Sequence, residues 1–342
     1  MAGPVVTDRQ YRQVLSTALA LRAPGIEDLV SNSNPLFNVI KRKGLMKPYS
    51  GPEIRQTLQI DKQQAQWFKG YDFLANPPIE LFNDAVFTPK QVAVPISLTG
   101  EEMLANEGET QVHDILEGYM DAAEEALVDA MDEALHSDGT GDDGKQLTGL
   151  AAAVPTNPAT AGVYGGIDRT QHALWRTSAF DVDTAFPDIG SQVDSTTIRA
   201  FYSRIIAQRS RNTRAADLLM ASQEHYWAYD AATVAIQRIA REESLGSLGF
   251  SAIEYVGGGK RAEIVLASGL NNNMPSNTTY GLETRSLRLR YHPNRNFTPL
   301  FEGDGQMPIN QDAIAQFIVW AGELTLINPL FTWRMFDSDP AS

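Results

Sequence analysis

Apolar residues recur three and four apart over a long stretch: Val112, Ile115, Leu116, Tyr119, Met120, Ala123, Leu127, Ala130, Met131, Ala134 and Leu135. That spacing lays one apolar stripe along a single helix. Thr99-Gly-Glu-Glu102 precedes it, a capping-box signature in which the threonine oxygen and the glutamate satisfy free amides at a helix start. The pattern predicts a helix over 99–137, with Gly108 able to bend it and Gly139 ending it. At ~1.5 Å per residue such a helix spans a domain.

Upstream the period changes. Residues 54–60 alternate, with Ile54, Leu58 and Ile60 among polar neighbours, and 65–73 hold Trp67, Phe68, Tyr71 and Phe73, residue types that favour strands. Joined by the polar stretch 61–64, the two runs predict a long hairpin that projects from the body, and 87–98 would return the chain to it. Before the hairpin, 8–21 have a short amphipathic helical spacing, whereas Asn34, Pro35, Gly44, Pro48, Gly51 and Pro52 exclude a long helix.

Downstream, Asp194 or Ser195 caps an expected helix with Ile198, Phe201, Tyr202, Ile205 and Ile206 on one face. Residues 218–221 predict a strand running into a helix over 222–239, and Val256-Gly-Gly-Gly-Lys260 a turn between apolar runs. Strand-like stretches at 282–291 and 314–336 complete a mixed α+β chain.

With 342 residues, 43% of them hydrophobic and 20% charged, the chain has the composition of an ordered globular protein of one large domain or two joined ones. No membrane span is expected, because the best apolar stretch, 317–331, is broken by Glu323, Asn328 and Pro329. Asp8, Arg9 and Arg12 precede any apolar run, so no secretory signal is expected at the amino end. The absence of cysteine removes disulfides, thiolate metal sites and a cysteine nucleophile together.

The net charge of −14 argues against wrapping nucleic acid over the whole surface, since that requires lysine and arginine to neutralise phosphates. The charge is also segregated. Residues 99–137 contain twelve Asp or Glu and no Lys or Arg. Residues 40–70 carry Lys41, Arg42, Lys43, Lys47, Arg55, Lys62 and Lys69 against Glu53 and Asp61. Charge runs of this kind are usually solvated faces.

The chemical motifs are weak. Gly139-Thr-Gly-Asp-Asp-Gly-Lys145 fits GxxxxGK, but Gln146 replaces the Ser or Thr that holds magnesium, and Asp142 and Asp143 would repel phosphate. Read as a calcium loop from Asp138, the same stretch puts Gly149 where a bidentate glutamate is needed. The five histidines lack metal-ligand spacing, and no GxSxG elbow occurs. No catalytic residue, cofactor or metal is expected.

Several local phrases occur in a specific order: Asn34-Pro-Leu-Phe37 with Lys41-Arg-Lys-Gly44, Gln66-Trp-Phe-Lys-Gly-Tyr-Asp72, Leu135-His-Ser-Asp-Gly139 leading to Lys145-Gln-Leu-Thr-Gly-Leu150, and Gly165-Gly-Ile-Asp-Arg169 with Trp175-Arg176. Together with the order of elements, they resemble tailed-phage major capsid proteins of the Hong Kong 97-type fold over nearly the entire chain. The resemblance implies an amino-terminal arm (1–51), an extended loop (52–98), the spine helix of a peripheral domain (99–143), a mainly axial domain (144–301) and carboxy-terminal strands returning to the periphery (302–342).

It implies a non-catalytic shell subunit that self-assembles as pentamers and hexamers in the host cytoplasm and resides in the virion capsid. The shell would enclose double-stranded DNA without sequence-specific binding and without a membrane. The partners implied are a separate scaffold, a portal and decoration proteins. In this family the extended loop reaches over a neighbour. Arg55, Lys62 and Lys69 would then meet acidic spine residues Glu117, Asp121, Glu124 and Asp132, with Trp67, Phe68 and Tyr71 supplying apolar contact. Gly165 and Gly166 would permit a tight backbone path, and Asp168 or Arg169 would fix that loop by hydrogen bonding. The alternatives are an encapsulin-like nanocompartment shell and, more remotely, a nucleotide-binding enzyme using 139–145.

Overall fold

The computed structural model describes residues 25–30, 33–61, 63, 65–75, 78, 81–99, 101, 109–233, 252–257, 259–267, 273–300 and 313–339. The amphipathic stretch 8–21, Gly108 and the far end of the helix expected over 222–239 lie outside them. The principal elements begin with α1 (Pro35–Arg42), β1 (Met46–Pro48), β2 (Ile54–Gln59), β3 (Phe82–Phe87), β4 (Lys90–Thr99) and α2 (Glu109–His136). The chain continues through β5 (Val163–Tyr164), β6 (Ile167–Asp168), β7 (Ser178–Asp181), α3 (Ile198–Gln208), β8 (Leu218–Ala221) and α4 (Gln223–Thr233). Its last strands are β9 (Ala252–Gly257), β10 (Lys260–Leu266), β11 (Thr278–Leu282), β12 (Leu287–Pro299), β13 (Ala313–Leu326) and β14 (Trp333–Phe336).

These elements form two compact units, one of residues 1–50, 89–149 and 289–324, the other of 51–88, 150–288 and 325–342. The first holds a four-stranded sheet in the order β1-β12-β13-β4. β13 pairs antiparallel with β4 from Ala313 opposite Thr99 to Gly322 opposite Lys90. From Ile318 to Leu326 every residue of β13 is buried, and one of them is the carboxylate Glu323. α2 packs against β4. Its buried stripe, Met120, Ala123, Leu127, Met131, Ala134 and Leu135, follows the sequence periodicity, while Tyr119 at the stripe's edge is exposed.

α1 stands where the sequence showed only breakers. Its Asn34 side chain accepts the Phe37 amide at 3.0 Å, and Pro35 occupies the first helical turn, where its missing amide proton costs nothing. The Asn-Pro pair that marks a loop in sequence is therefore also a complete helix start. Leu36, Phe37, Val39 and Ile40 are buried, and the amide of Asn34 donates to Asp132 of α2 at 2.7 Å.

The second unit holds a six-stranded mixed sheet in the order β7-β14-β11-β8-β10-β9. Its central strands β8 and β11 are buried at every residue, as expected for strands covered on both faces. α3 contributes Ile198, Phe201, Tyr202, Ile205 and Ile206 to the core, the five residues its spacing selected, and α4 contributes Tyr226 and Tyr229. Each such side chain contributes roughly 1.5–3 kcal/mol through burial. β9 and β10 form the hairpin expected around the glycine triplet. The carboxy-terminal strand β14 joins this sheet beside β7 and β11, whereas β13 belongs to the other sheet. β13 and β14 thus lie in different sheets.

The hairpin also differs from expectation. β2 pairs with β3, Ile54 opposite Phe87 through Gln59 opposite Phe82, and the aromatic stretch 65–73 is irregular. Strand propensity reflects packing on a half-buried pleated surface. Among the described residues no strand pairs with that stretch, so residue type alone does not make a strand.

Candidate assembly interface

The hairpin belongs to the second unit and has a buried base and an exposed tip. In β2, Ile54, Gln56 and Leu58 are buried, while Arg55, Thr57 and Gln59 are exposed. Two crosslinks rigidify the tip. The Gln66 side chain donates to the Ala75 carbonyl at 2.9 Å and accepts the Ala75 amide at 3.1 Å, imitating a strand pair. Inside that closure the Lys69 amide donates to Asp72 Oδ2 at 2.8 Å, and Gly70 supplies the turn at φ +60°.

Trp67 and Tyr71 are as accessible as in an extended chain, at 102% and 108%, and Phe68, Phe73 and Leu74 are exposed beside them. A cluster of bare aromatic rings on a fixed loop is the composition of an interface centre, because such rings bury much area at little entropic cost.

The base of the hairpin is anchored by the loop that carries Gly165 to Arg169. Val86 donates its amide to the Gly165 carbonyl at 2.9 Å, and the Phe87 ring meets Tyr164 edge-on at 5.3 Å. Gly165 has φ +57°, and a Cβ there would lie 2.7 Å from the Phe87 ring; Gly166 has φ +75°. Trp175 Nε1 donates to the Tyr164 carbonyl at 2.9 Å. Arg169 lies buried with its guanidinium 4.5 Å from the centre of the Tyr164 ring and donates to the carbonyls of Ala152 and Ala153 at 2.8 and 3.2 Å.

Burial lowers the Arg169 pKa to about 10, so the side chain remains charged at neutral pH. Asp168 stays at the surface, where Oδ1 accepts the amide and hydroxyl of Thr170 at 2.8 and 2.7 Å. Those hydrogen bonds hold its carboxyl below the usual range. Sequence reasoning singled out Gly165, Gly166, Asp168 and Arg169 but not Phe87, Tyr164 and Trp175, which connect them to the hairpin. Nothing in the linear order brings Phe87 to residue 164.

The other residues named from sequence are more dispersed. Arg55 pairs with Glu53 at 3.0 Å on its own strand end, which satisfies locally a charge expected to point at a neighbour. Lys62 lies outside the described residues, as does the side chain of Glu117. Asp121 is exposed on α2 and Glu124 half-buried. Asp132 is turned inward to Asn34 and stands 3.8 Å from His136. Half-buried there, it serves the first unit, so the acidic surface of α2 is narrower than the charge count suggests.

Residues 139–145 follow α2 as a turn with Asp142, Asp143 and Gly144 in the left-handed region, at φ 50°, 56° and 77°. No strand leads into them, and Lys90 donates to the Gly144 carbonyl. This is not the strand–loop–helix that cradles phosphate. No helix among the described residues is long and apolar enough to cross a membrane.

Neither a family model nor a curated protein sequence matches the chain. Solved structures do. The capsid asymmetric unit of cyanophage A-1(L) superposes with a TM-score of 0.62 and 16% identity, covering 87% of this chain and 92% of that one. The chain has a phage capsid fold. The capsid of the native GTA particle follows at a TM-score of 0.53 and 9% identity, covering 88% of this chain and 90% of that one. The capsid of Myoviridae phage XM1 gives 0.50 and 12%, covering 87% and 91%. At these identities the capsid fold is shared through the arrangement of elements, with few residues in common.

Proposed function

We propose that this protein is the major capsid protein of a tailed phage, a structural subunit whose copies close into an icosahedral shell around double-stranded DNA. The observation that carries the reading is the capsid fold over nearly the whole chain, with a TM-score of 0.62 to a phage capsid subunit. The exposed aromatic tip adds to it, since a lone globular protein gains nothing from presenting Trp67, Phe68, Tyr71 and Phe73 to water.

In this reading the hairpin reaches a neighbouring copy. The tip rings supply most of the attraction, and the charges of Lys62 and Lys69 act at long range on acidic positions such as Glu117, Asp121 and Glu124, steering the encounter without forming the seat. Arg55 is paired with Glu53 at its own strand end, and Asp132 is turned to Asn34. The loop from Gly165 to Arg169 sets the root of the hairpin, and with it the direction in which the tip projects. Pentamers and hexamers repeat the same contact around their axes. Scaffold, portal and decoration proteins, and assembly in the host cytoplasm, belong to the same reading. An acidic inner wall would keep packaged DNA from adhering. No step of this function needs a catalytic group.

Electron microscopy of the purified chain, produced alone and together with its neighbouring gene products, tests the proposal. Closed icosahedral particles are expected. Monomers or irregular aggregates under both conditions overturn it.

A further inference from the structure

The second unit contains a cavity of about 880 Å³ beside the hairpin, lined on that side by Thr57, Leu58 and Gln59 of β2 and by Gln63. Leu58, Leu174, Trp175, Pro329, Leu330 and Phe331 form its apolar part, and Thr57, Gln59, Asn212 and Thr213 add polar edges. Its charged lining residues are Arg211 and Arg214, and none is acidic. Arg214 is already committed: it forms a two-pronged pair with Glu283 at 2.7 Å for each contact, and its guanidinium lies 4.6 Å from the Phe331 ring centre. Arg211 is the remaining cation of the lining, on a tight turn closed by reciprocal backbone bonds to Arg214 at 2.9 and 3.0 Å. The site thus has an apolar and aromatic side bordered by amides and hydroxyls, with one cation available.

The occupant's chemistry is written on the same hairpin. Residues 66–75 present four exposed rings, one carboxylate, Asp72, and one exposed ammonium, Lys69, on a loop already closed by Gln66 and Ala75. The full exposure of Trp67 and Tyr71 shows that a chain's own cavity does not hold its own tip. A hairpin that lines a cavity with β2 and carries aromatic rings and a carboxylate beyond it suits a head-to-tail contact between copies.

We propose that the 66–75 tip of one copy seats in the cavity beside β2 of the next, with Trp67 and Tyr71 entering the apolar part and Asp72 meeting Arg211. This seating rests on the shell reading and names the surface that receives the hairpin. Because the tip is preorganised, little ordering entropy opposes the contact. A head-to-tail contact of this kind propagates from copy to copy and closes wherever the rotation between copies closes.

The chain has no cysteine, so introduced pairs report unambiguously. Tyr71→Cys and Thr213→Cys chains are mixed, assembled and oxidised. Disulfide-linked dimers are expected from the mixture and not from either variant alone, and Arg211→Glu in the Thr213→Cys chain should lower their yield. A second mixture, Trp67→Cys with Leu330→Cys, replaces the first if either variant fails to fold by circular dichroism. A third, Tyr71→Cys with Asp129→Cys, samples the acidic helix as the competing receiver. Particles that form but cross-link at Asp129, or at neither site, overturn the seating and leave the shell reading intact. Wild-type chains that form no particles overturn both.

Discussion

The carboxylate of Glu323, toward the carboxy-terminal end of β13, accepts the backbone amide of Thr148 at 3.0 Å. One buried acid thereby ties the sheet of the first unit to the loop that follows α2. Its second oxygen, Oε2, is buried without a hydrogen-bond partner among the described residues. Burial raises the carboxyl pKa to about 8, against the lowering effects of Thr148 and Lys90.

The raised pKa fixes the sign of a pH dependence. Between the ordinary value of 4.5 and about 8 the folded chain holds a proton that the unfolded chain has released, so stability falls as pH rises through that window. The loss is on the order of 3–5 kcal/mol when complete. Glu323→Gln keeps an acceptor for Thr148 without a charge. It should flatten the decline in unfolding temperature between pH 5 and 8 and leave the variant more stable than wild type at pH 9. An unchanged slope would show that Glu323 is ionised in the fold.

His225 gives the opposite sign in the second unit. Its Nδ1 lies 2.9 Å from the Thr279 hydroxyl, which also meets the Tyr202 hydroxyl at 3.0 Å. Burial lowers the imidazole pKa from 6.5 to about 4. The neutral ring therefore contributes stability above pH 6.5 that is lost as pH falls toward 4, about 3 kcal/mol in all. His225→Gln should show a shallower loss across that range in urea denaturation, measured as the difference from wild type.

Arg169 is a buried cation held by two carbonyls and a ring face. Arg169→Met preserves length but leaves the Ala152 and Ala153 carbonyls without its hydrogen bonds, a cost of about 2–4 kcal/mol. The midpoint of denaturant unfolding should fall accordingly. The hairpin should also become more susceptible to proteolysis within 61–81, since Tyr164 and Phe87 rest on the same anchor.

Two nearby glycines separate strain from collision. Gly144 has φ +77° with open space around its Cα, so Gly144→Ala should cost about 1 kcal/mol. Gly149 lacks a left-handed φ, but a Cβ there would stand 2.4 Å from the Ala134 carbonyl oxygen and 2.5 Å from that of Leu135. Gly149→Ala should be the more damaging, by more than about 2 kcal/mol in thermal unfolding, because a helix backbone cannot give way as a side chain can.

Reversing the tip charges with Lys62→Glu and Lys69→Glu tests the guidance assigned to them. Particle yield at low salt should drop, and added salt should narrow the gap from wild type, because exposed charges are screened over a Debye length of about 10 Å at 0.1 M. Normal shells at low salt would remove charge guidance and leave the apolar contact alone.

By itself the sequence determined the elements whose side chains repeat with a period. The stripe from Met120 to Leu135, the α3 face from Ile198 to Ile206 and the turn at the glycine triplet were legible because each depends on residues close in the chain. Tertiary structure alone decided the rest. It chose Phe82–Phe87 over the aromatic run as the partner of β2, because pairing depends on which segment arrives alongside and not on ring content. It turned Asp132 inward to Asn34, buried Glu323 against Thr148 and brought Phe87 to Tyr164 and Arg169. These relationships join residues tens or hundreds of positions apart, and no local periodicity encodes them.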